Sequence, residues 1–320
     1  MGVFVFLPLV LPLTALPIAR LAEQHLHPRT AARLLTAIAV VMAASCAISL
    51  SLLFVVGTAH IPGNPLPDSW SDPEVRDAVP FHRTVGLSAV VALLVVVAAC
   101  ARTVRRHLRI RTRCRQALAG LAAHTDAGAE VAVLPDDRPY AYALPGPTGR
   151  VVVSTGMLAG LSAAERTVLL AHERAHLTHR HHRYLLATRL AACVNPCLRP
   201  LRLAVAYSTE RWADEEAAQS VGDRRLTARA VARAALISGP FDAAGPGDLP
   251  GLPAFAGPGP VPRRVAALLE PGPRTTGWPP AHSRAGLAAM VAAAGTAVSA
   301  ASSLNAAVAL LLLLKAATPL

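Results

Sequence analysis

The stretch Ser162-Ala163-Ala164-Glu165-Arg166-Thr167-Val168-Leu169-Leu170-Ala171-His172-Glu173-Arg174-Ala175-His176 opens on a helix cap and closes on H-E-x-x-H. Ser162 followed three residues later by Glu165 is a capping box, in which the two residues satisfy each other's open backbone N–H groups. A helix starting there carries His172 and His176 four residues apart, on one face, where both imidazoles can reach a single metal ion. Glu173 projects beside them, placed to take a proton from a metal-bound water. Arg174 and Ala175 fill the variable positions of the motif.

Around this stretch the chain is strongly apolar. Of 320 residues, 53% are hydrophobic and only 16% charged, whereas a soluble domain carries about a quarter of its residues charged. The deficit sits in long uncharged runs. A bilayer takes about 20 apolar residues per crossing, and four runs are candidates: Val3–Ala19, Leu34–Gly57, Val85–Ala101 and a span within Ala285–Leu314. The first is short and punctuated by Pro8, Pro12 and Pro17. A signal peptide is its alternative reading, disfavoured by the lack of a positive n-region and of a small-x-small cleavage site. The last lies between Arg284 and Lys315, and Gly286, Gly295, Ser299 and Ser302 suit close packing between helices.

The net charge of +12 is concentrated where apolar runs end. Arg102, Arg105, Arg106, Arg109, Arg111, Arg113 and Arg115 follow the third run, and Arg20, Arg29 and Arg33 separate the first two. The loop from Thr58 to Arg83 instead holds Asp68, Asp72, Glu74 and Asp77 against Arg76 and Arg83. The positive-inside rule then predicts a multi-pass protein of the cell membrane, with both termini outside and residues 102–284 in the cytoplasm. The basic stretch also suits anionic lipid headgroups. A nucleic-acid partner is not expected: aromatics are 4% of the chain, too few for a base-stacking surface, and no helix-turn-helix pattern occurs. Cys46, Cys100, Cys114, Cys193 and Cys197 form no disulfide framework and read as reduced thiols.

The expected organisation is an N-terminal membrane domain over residues 1–101 with three transmembrane helices, a cytoplasmic domain over 102–284, and a C-terminal transmembrane helix over 285–320. Within the middle part, Leu108–Ala123 reads as a helix leaving the membrane. Glu130–Leu134, Tyr140–Leu144 and Arg150–Ser154 read as short strands, with Pro145–Gly149 turning between the last two. Further helical runs cover Leu201–Ser220 and Thr227–Ile237, and Gly239–Pro262 is expected to be an irregular loop. The fold class is therefore mainly α: a multi-span helical membrane protein carrying a cytoplasmic α+β domain with a small sheet.

Two histidines leave a metal site incomplete, since a catalytic zinc has three protein ligands and one open position. His182 stands six residues after His176, the metzincin spacing, but that pattern needs a glycine where this chain has His179. Arg180–Leu190 contains no breaker, so the helix is expected to run on. Glu210, 34 residues beyond His176, could come from a second helix crossing the first. Asp214, one turn further, could then accept a ring N–H from a ligating histidine. On spacing alone, Glu210 and Asp214 read equally well as solvated acids beside Glu215 and Glu216.

Four segments together resemble the integral-membrane gluzincin zinc metallopeptidases: Ser162–His176 with its cap, Glu210-x-x-Ala213-Asp214, Arg150–Leu158, and Arg264–Leu269. That group includes the beta-lactam-sensor signal-transducing proteases, the heat-shock membrane protease and the CAAX prenyl protease. The span layout is most similar to the sensor type. The resemblance implies a zincin-like domain in which His172, His176 and Glu210 bind one zinc ion, Glu173 is the general base and Asp214 supports the site. It implies a zinc-dependent endopeptidase acting on a protein or peptide substrate, such as a repressor or a membrane protein in regulated proteolysis, with the lipid bilayer as its setting. A catalytically silent sensor or scaffold of the same fold is the alternative. Tyr184, His179 and His181 are weaker candidates for oxyanion support, and the edge of strand Arg150–Ser154 for aligning an extended substrate. Sensor-type relatives carry a penicillin-binding domain after the last span; only a few residues follow Lys315, so no such sensor is expected here.

Overall fold

Prolines decide the form of the N-terminal run. In the computed structural model, which describes residues 5–58, 61, 81–122, 130–146, 149–238, 261–272 and 283–317, that run divides into helix α1 (Leu7–Val10), a 3-10 turn (Leu11–Thr14) and helix α2 (Ala15–His25). Pro8 and Pro12 fall at the start of their segments, where a missing N–H costs nothing. The chain continues through α3 (Pro28–Thr58), α4 (His82–Ala122), β1 (Val131–Leu134), β2 (Ala141–Leu144), β3 (Arg150–Ser154) and α5 (Thr155–Gly160). Helices α6 (Ala163–Thr178), α7 (His181–Val194), α8 (Arg199–Val221) and α9 (Arg224–Ser238) follow, then α10 (Val261–Leu269) and α11 (Arg284–Ala317). Residues 239–260 of the expected loop over Gly239–Pro262, most of the loop over Thr58–Arg83 and residues 147–148 of the expected turn lie outside the described residues; Val261 and Pro262 begin α10 instead.

The mainly helical class with a small sheet holds. The span count differs: among the described residues, three helices, within α3, α4 and α11, are long and apolar enough to cross a membrane. The expected first span is instead the broken α1–α2 path. Helix α4 carries the third apolar run and the arginines after it without a break, so the boundary expected at residues 101 and 102 falls inside one helix. Helices α3 and α4 cross at Gly57 and Gly86, where a Cβ on either glycine would collide with the other's backbone.

The sheet has the order β1-β3-β2, with β1 parallel and β2 antiparallel to β3. Val151, Val152 and Val153 are fully buried, as a central strand covered on both faces requires. This corrects the expectation that Arg150–Ser154 offers an edge to substrate: both its edges are occupied, one by Val131–Leu134 and the other by Ala141–Leu144.

Two buried clusters position the site. In one, Leu35, Ile38 and Met42 of α3 pack with Leu198, Leu201 and Val205 at the start of α8. Asn195, at the tip between α7 and α8, donates to the Leu9 carbonyl at 3.3 Å and lies 3.5 Å from the Cys46 sulfur. The apolar helices and the α7–α8 hairpin thus share one core. In the other, Val153, Met157, Val168, Leu169, Ala217, Val231 and Leu268 clamp α6 among the sheet, α8, α9 and α10.

Candidate metal centre

Helix α6 begins as its sequence dictates. The Ser162 hydroxyl accepts from the Glu165 backbone N–H, and Glu165 accepts from the Ser162 backbone N–H at 2.9 Å. Val168 and Leu169 anchor one side of the helix in the core, which buries His172, Glu173 and His176 to 1% exposure or less. The helix does not run on through Arg180. It ends at Thr178, and Arg180 takes a left-handed backbone with φ of 53° before α7 begins. No glycine marks this break, because side chains hold it: His179 stacks on Trp212 at 4.4 Å and bonds Glu216 at 3.1 Å.

That turn brings His181 back beneath α6, with its Nδ1 2.7 Å from His176 Nδ1. His182 points elsewhere and is absent from the metal-competent group. The Nε2 atoms of His172 and His176 face each other at 3.0 Å. Glu210, from the middle of α8, places one oxygen 3.5 Å from His172 Nε2 and the other 3.5 Å from His176 Nε2. Donors held 2.0–2.1 Å from a tetrahedral ion stand ~3.3 Å from one another, so the spacing and the N/O donor set fit a zinc-sized cation. Glu210 is therefore not a solvated surface acid; folding brings it to the histidines.

Asp214, one turn beyond Glu210, lies 3.1 Å from His172 Nδ1 and is fully buried. Arg264 of α10 donates to both its oxygens at 2.8 and 2.7 Å, and its third nitrogen sits 3.2 Å from Glu210. A buried guanidinium is tolerable only when answered by such partners. Arg264 had no role in the sequence reading beyond its place in a matching segment. One signal was available: Arg264 and Leu268 stand four apart, so the arginine occupies the buried face of a short amphipathic helix. A second arginine locks that helix in place, since Arg224 pairs with Glu215 and donates to the carbonyls of Ala267 and Leu268.

Burial opposes charge on His172, but hydrogen bonds to Asp214 and Glu210 outweigh it and push its pKa up to about 9. His176 moves the other way, well below its ordinary value, through burial and then the neighbouring His172 and His181. Burial and His179 bring His181 down to about 3, so it is a neutral acceptor at physiological pH. With His176 Nε2 left as an acceptor, its Nδ1 carries the proton and donates to His181. Burial alone would raise Asp214, yet Arg264 and His172 hold it below the usual carboxylate range.

The three oxyanion candidates are engaged in packing. His181 is taken by His176, His179 by Glu216 and Trp212, and the Tyr184 ring lies 6.2 Å from that of Trp212. The guanidinium groups of Arg29 and Arg33 stand 5.6 and 5.4 Å from the Trp212 ring, a cation–π arrangement tying the start of α3 to the site.

A protein-family profile described as peptidase family M48 matches residues 105–198. The matched span takes in the arginine-rich half of α4, the sheet and the H-E-x-x-H helix, and stops short of Glu210, Asp214 and Arg264. It supports a zincin-type metallopeptidase and does not single out the beta-lactam-sensor type. No curated protein and no solved structure matches the chain.

Proposed function

We propose that the chain is a membrane-embedded zinc endopeptidase with its site at the cytoplasmic face of the bilayer. One observation carries the reading: His172, His176 and Glu210 bring their donor atoms within 4.8 Å of one another, beside the buried Glu173. His172, His176 and Glu210 would hold the ion. Zinc, when bound, supplies a Lewis acid for the scissile carbonyl and lowers the pKa of a bound water towards ~7. Glu173, buried beside these residues, would take up a proton from the attacking water and pass it to the departing amine. Asp214 fixes the orientation of His172, and Arg264 fixes Asp214 in turn. His181 does the same for His176.

Residues 102–284 would form the protease part, between membrane segments in 1–101 and 285–320. The substrate would be a protein or peptide, a repressor or a membrane protein in regulated proteolysis. The test uses full-length protein in detergent. Metal analysis should find about one zinc per chain in both wild type and Glu173→Gln, while cleavage of an unstructured protein such as casein is lost in the variant. Equal cleavage by the two proteins would remove Glu173 from its role, and absence of metal from both would remove the zinc site.

A further inference from the structure

On an ideal helix Arg174 and Thr178 lie about 200° around from His172 and His176. Against that far side of α6 opens a cleft of about 680 Å³, within the roughly 300–1,000 Å³ usual for ligand pockets. Its lining includes Arg111 and Arg115 of α4, Arg174 of α6, and Arg180, His182 and Arg183 at the turn into α7. Among the described residues Glu130 is its single lining acid, and Arg174 already holds it through two bonds of 2.8 and 3.2 Å. Arg111 and Arg115 converge on one neutral acceptor, the Pro145 carbonyl, at 3.1 and 3.4 Å. Among the described residues Arg111, Arg115, Arg180 and Arg183 have no acidic partner. Burial together with Arg111 and Arg183 drives His182 down to about 4, as a strongly positive surround requires.

We propose that this cleft is an exosite for an acidic segment of the polypeptide substrate, a reading that rests on the peptidase function above for its purpose. Charge complementarity selects the ligand class: four unanswered guanidinium groups, a polar lining and an open mouth suit extended carboxylates. Depth argues against a lipid headgroup. The exposed large apolar side chains of α4 within its apolar run end at Val97, and the run itself at Ala101. Arg111 and Arg115 follow Ala101 by ten and fourteen residues, about 15 and 21 Å along a helix. The headgroup layer is only about 5–8 Å deep on each side, and a typical tilt of ~20° shortens that reach little.

The experiment places full-length Glu173→Gln protein in nanodiscs of neutral phosphatidylcholine and measures the anisotropy of a fluorescein-labelled oligoglutamate. Binding should occur at low salt and weaken as salt rises. Two variants, Arg180→Asn with Arg183→Gln, and Arg111→Gln with Arg115→Gln, should each weaken it about tenfold or more. A control, Arg105→Gln with Arg109→Gln, removes the same charge from outside the cleft and should leave binding nearly unchanged. Unaltered melting and zinc content would show that each variant folds. Equal binding by cleft variants and parent, or equal loss in the control, overturns the proposal. So does full displacement of the peptide by millimolar inorganic phosphate, which marks a simple anion site. Loss of binding to phosphatidylserine vesicles, with the peptide still bound, would assign the cleft to lipid and overturn it too. Because binding is read without turnover, a failed zinc or cleavage assay leaves this result standing, and the reverse holds as well.

Discussion

The two sides of helix α6 treat charge in opposite ways. On one side the buried carboxylates and rings around the motif are paired: Asp214 with Arg264 and His172, Glu210 with Arg264 and both motif histidines, His176 with His181. On the other side guanidinium groups gather around an open cleft with, among the described residues, a single acid between them. The first arrangement is what a chain must do to bury charge at all, because a lone buried ion costs several kcal/mol. The second is not required for burying charge and costs a little through repulsion. Charges that folding requires are matched inside the molecule; charges that folding does not require are matched, if anywhere, by something outside it.

That contrast is most exposed at Glu173. Replacing it with glutamine keeps shape and burial, so metal content should stay at the wild-type level while turnover falls by about 10²–10⁴. Single-turnover cleavage beside metal analysis separates the two quantities. Next in size is Arg264→Leu. It strips the counter-charge from two carboxylates at once and should cost about 3–5 kcal/mol of stability, with a ~10–100-fold loss of metal affinity. Adding Asp214→Asn should restore part of the stability, because one uncompensated charge disappears. A melting series on the two variants decides it, and identical melting temperatures would mean that the Arg264–Asp214 pair does not hold the site.

Much of this was legible in the sequence, and the failures have physical causes. The cap at Ser162 and Glu165, the three strands and the helices around Glu210 and Thr227 are local patterns, and local patterns survive folding. The break at Arg180 was missed because a long-range stack of His179 on Trp212 does the work usually signalled by a glycine. The central position of β3 was missed because strand order depends on pairing between segments, which periodicity does not record. Proline spacing in the first run warned of an interruption, yet hydropathy alone counted it as a span. Arg264 and His181 show the same limit: each acts through a residue distant in sequence or across a sharp turn, and only the folded chain brings the pair together.

A pH titration probes the answered side directly. The pKa of His172 is raised to about 9 in the fold by its bonds to Asp214 and Glu210, above the ~6.5 of an unfolded histidine. The stability that its protonated form contributes is therefore complete below about pH 6.5 and lost as pH rises through about 9. A metal needs the neutral ring, so it must displace that proton. Zinc affinity should rise by up to about tenfold per pH unit across this window and level off above it. His176, whose pKa is lowered, adds no such competition. Competition titrations with a chelating dye check the slope; a flat profile would mean that Asp214 and Glu210 do not hold a proton on His172.

The smallest effect should come from the unanswered side. Arg180 sits in a left-handed backbone at φ of 53° and is exposed. Asparagine tolerates that region better than a long side chain does, and losing one positive charge eases repulsion from Arg111 and Arg183. Arg180→Asn should therefore leave stability within about 0.5 kcal/mol of the parent, with any change on the favourable side. Urea unfolding of the full chain in detergent measures this. A loss much beyond that margin would mean the guanidinium has a partner within the fold, and the two sides of α6 would then obey the same rule rather than opposite ones.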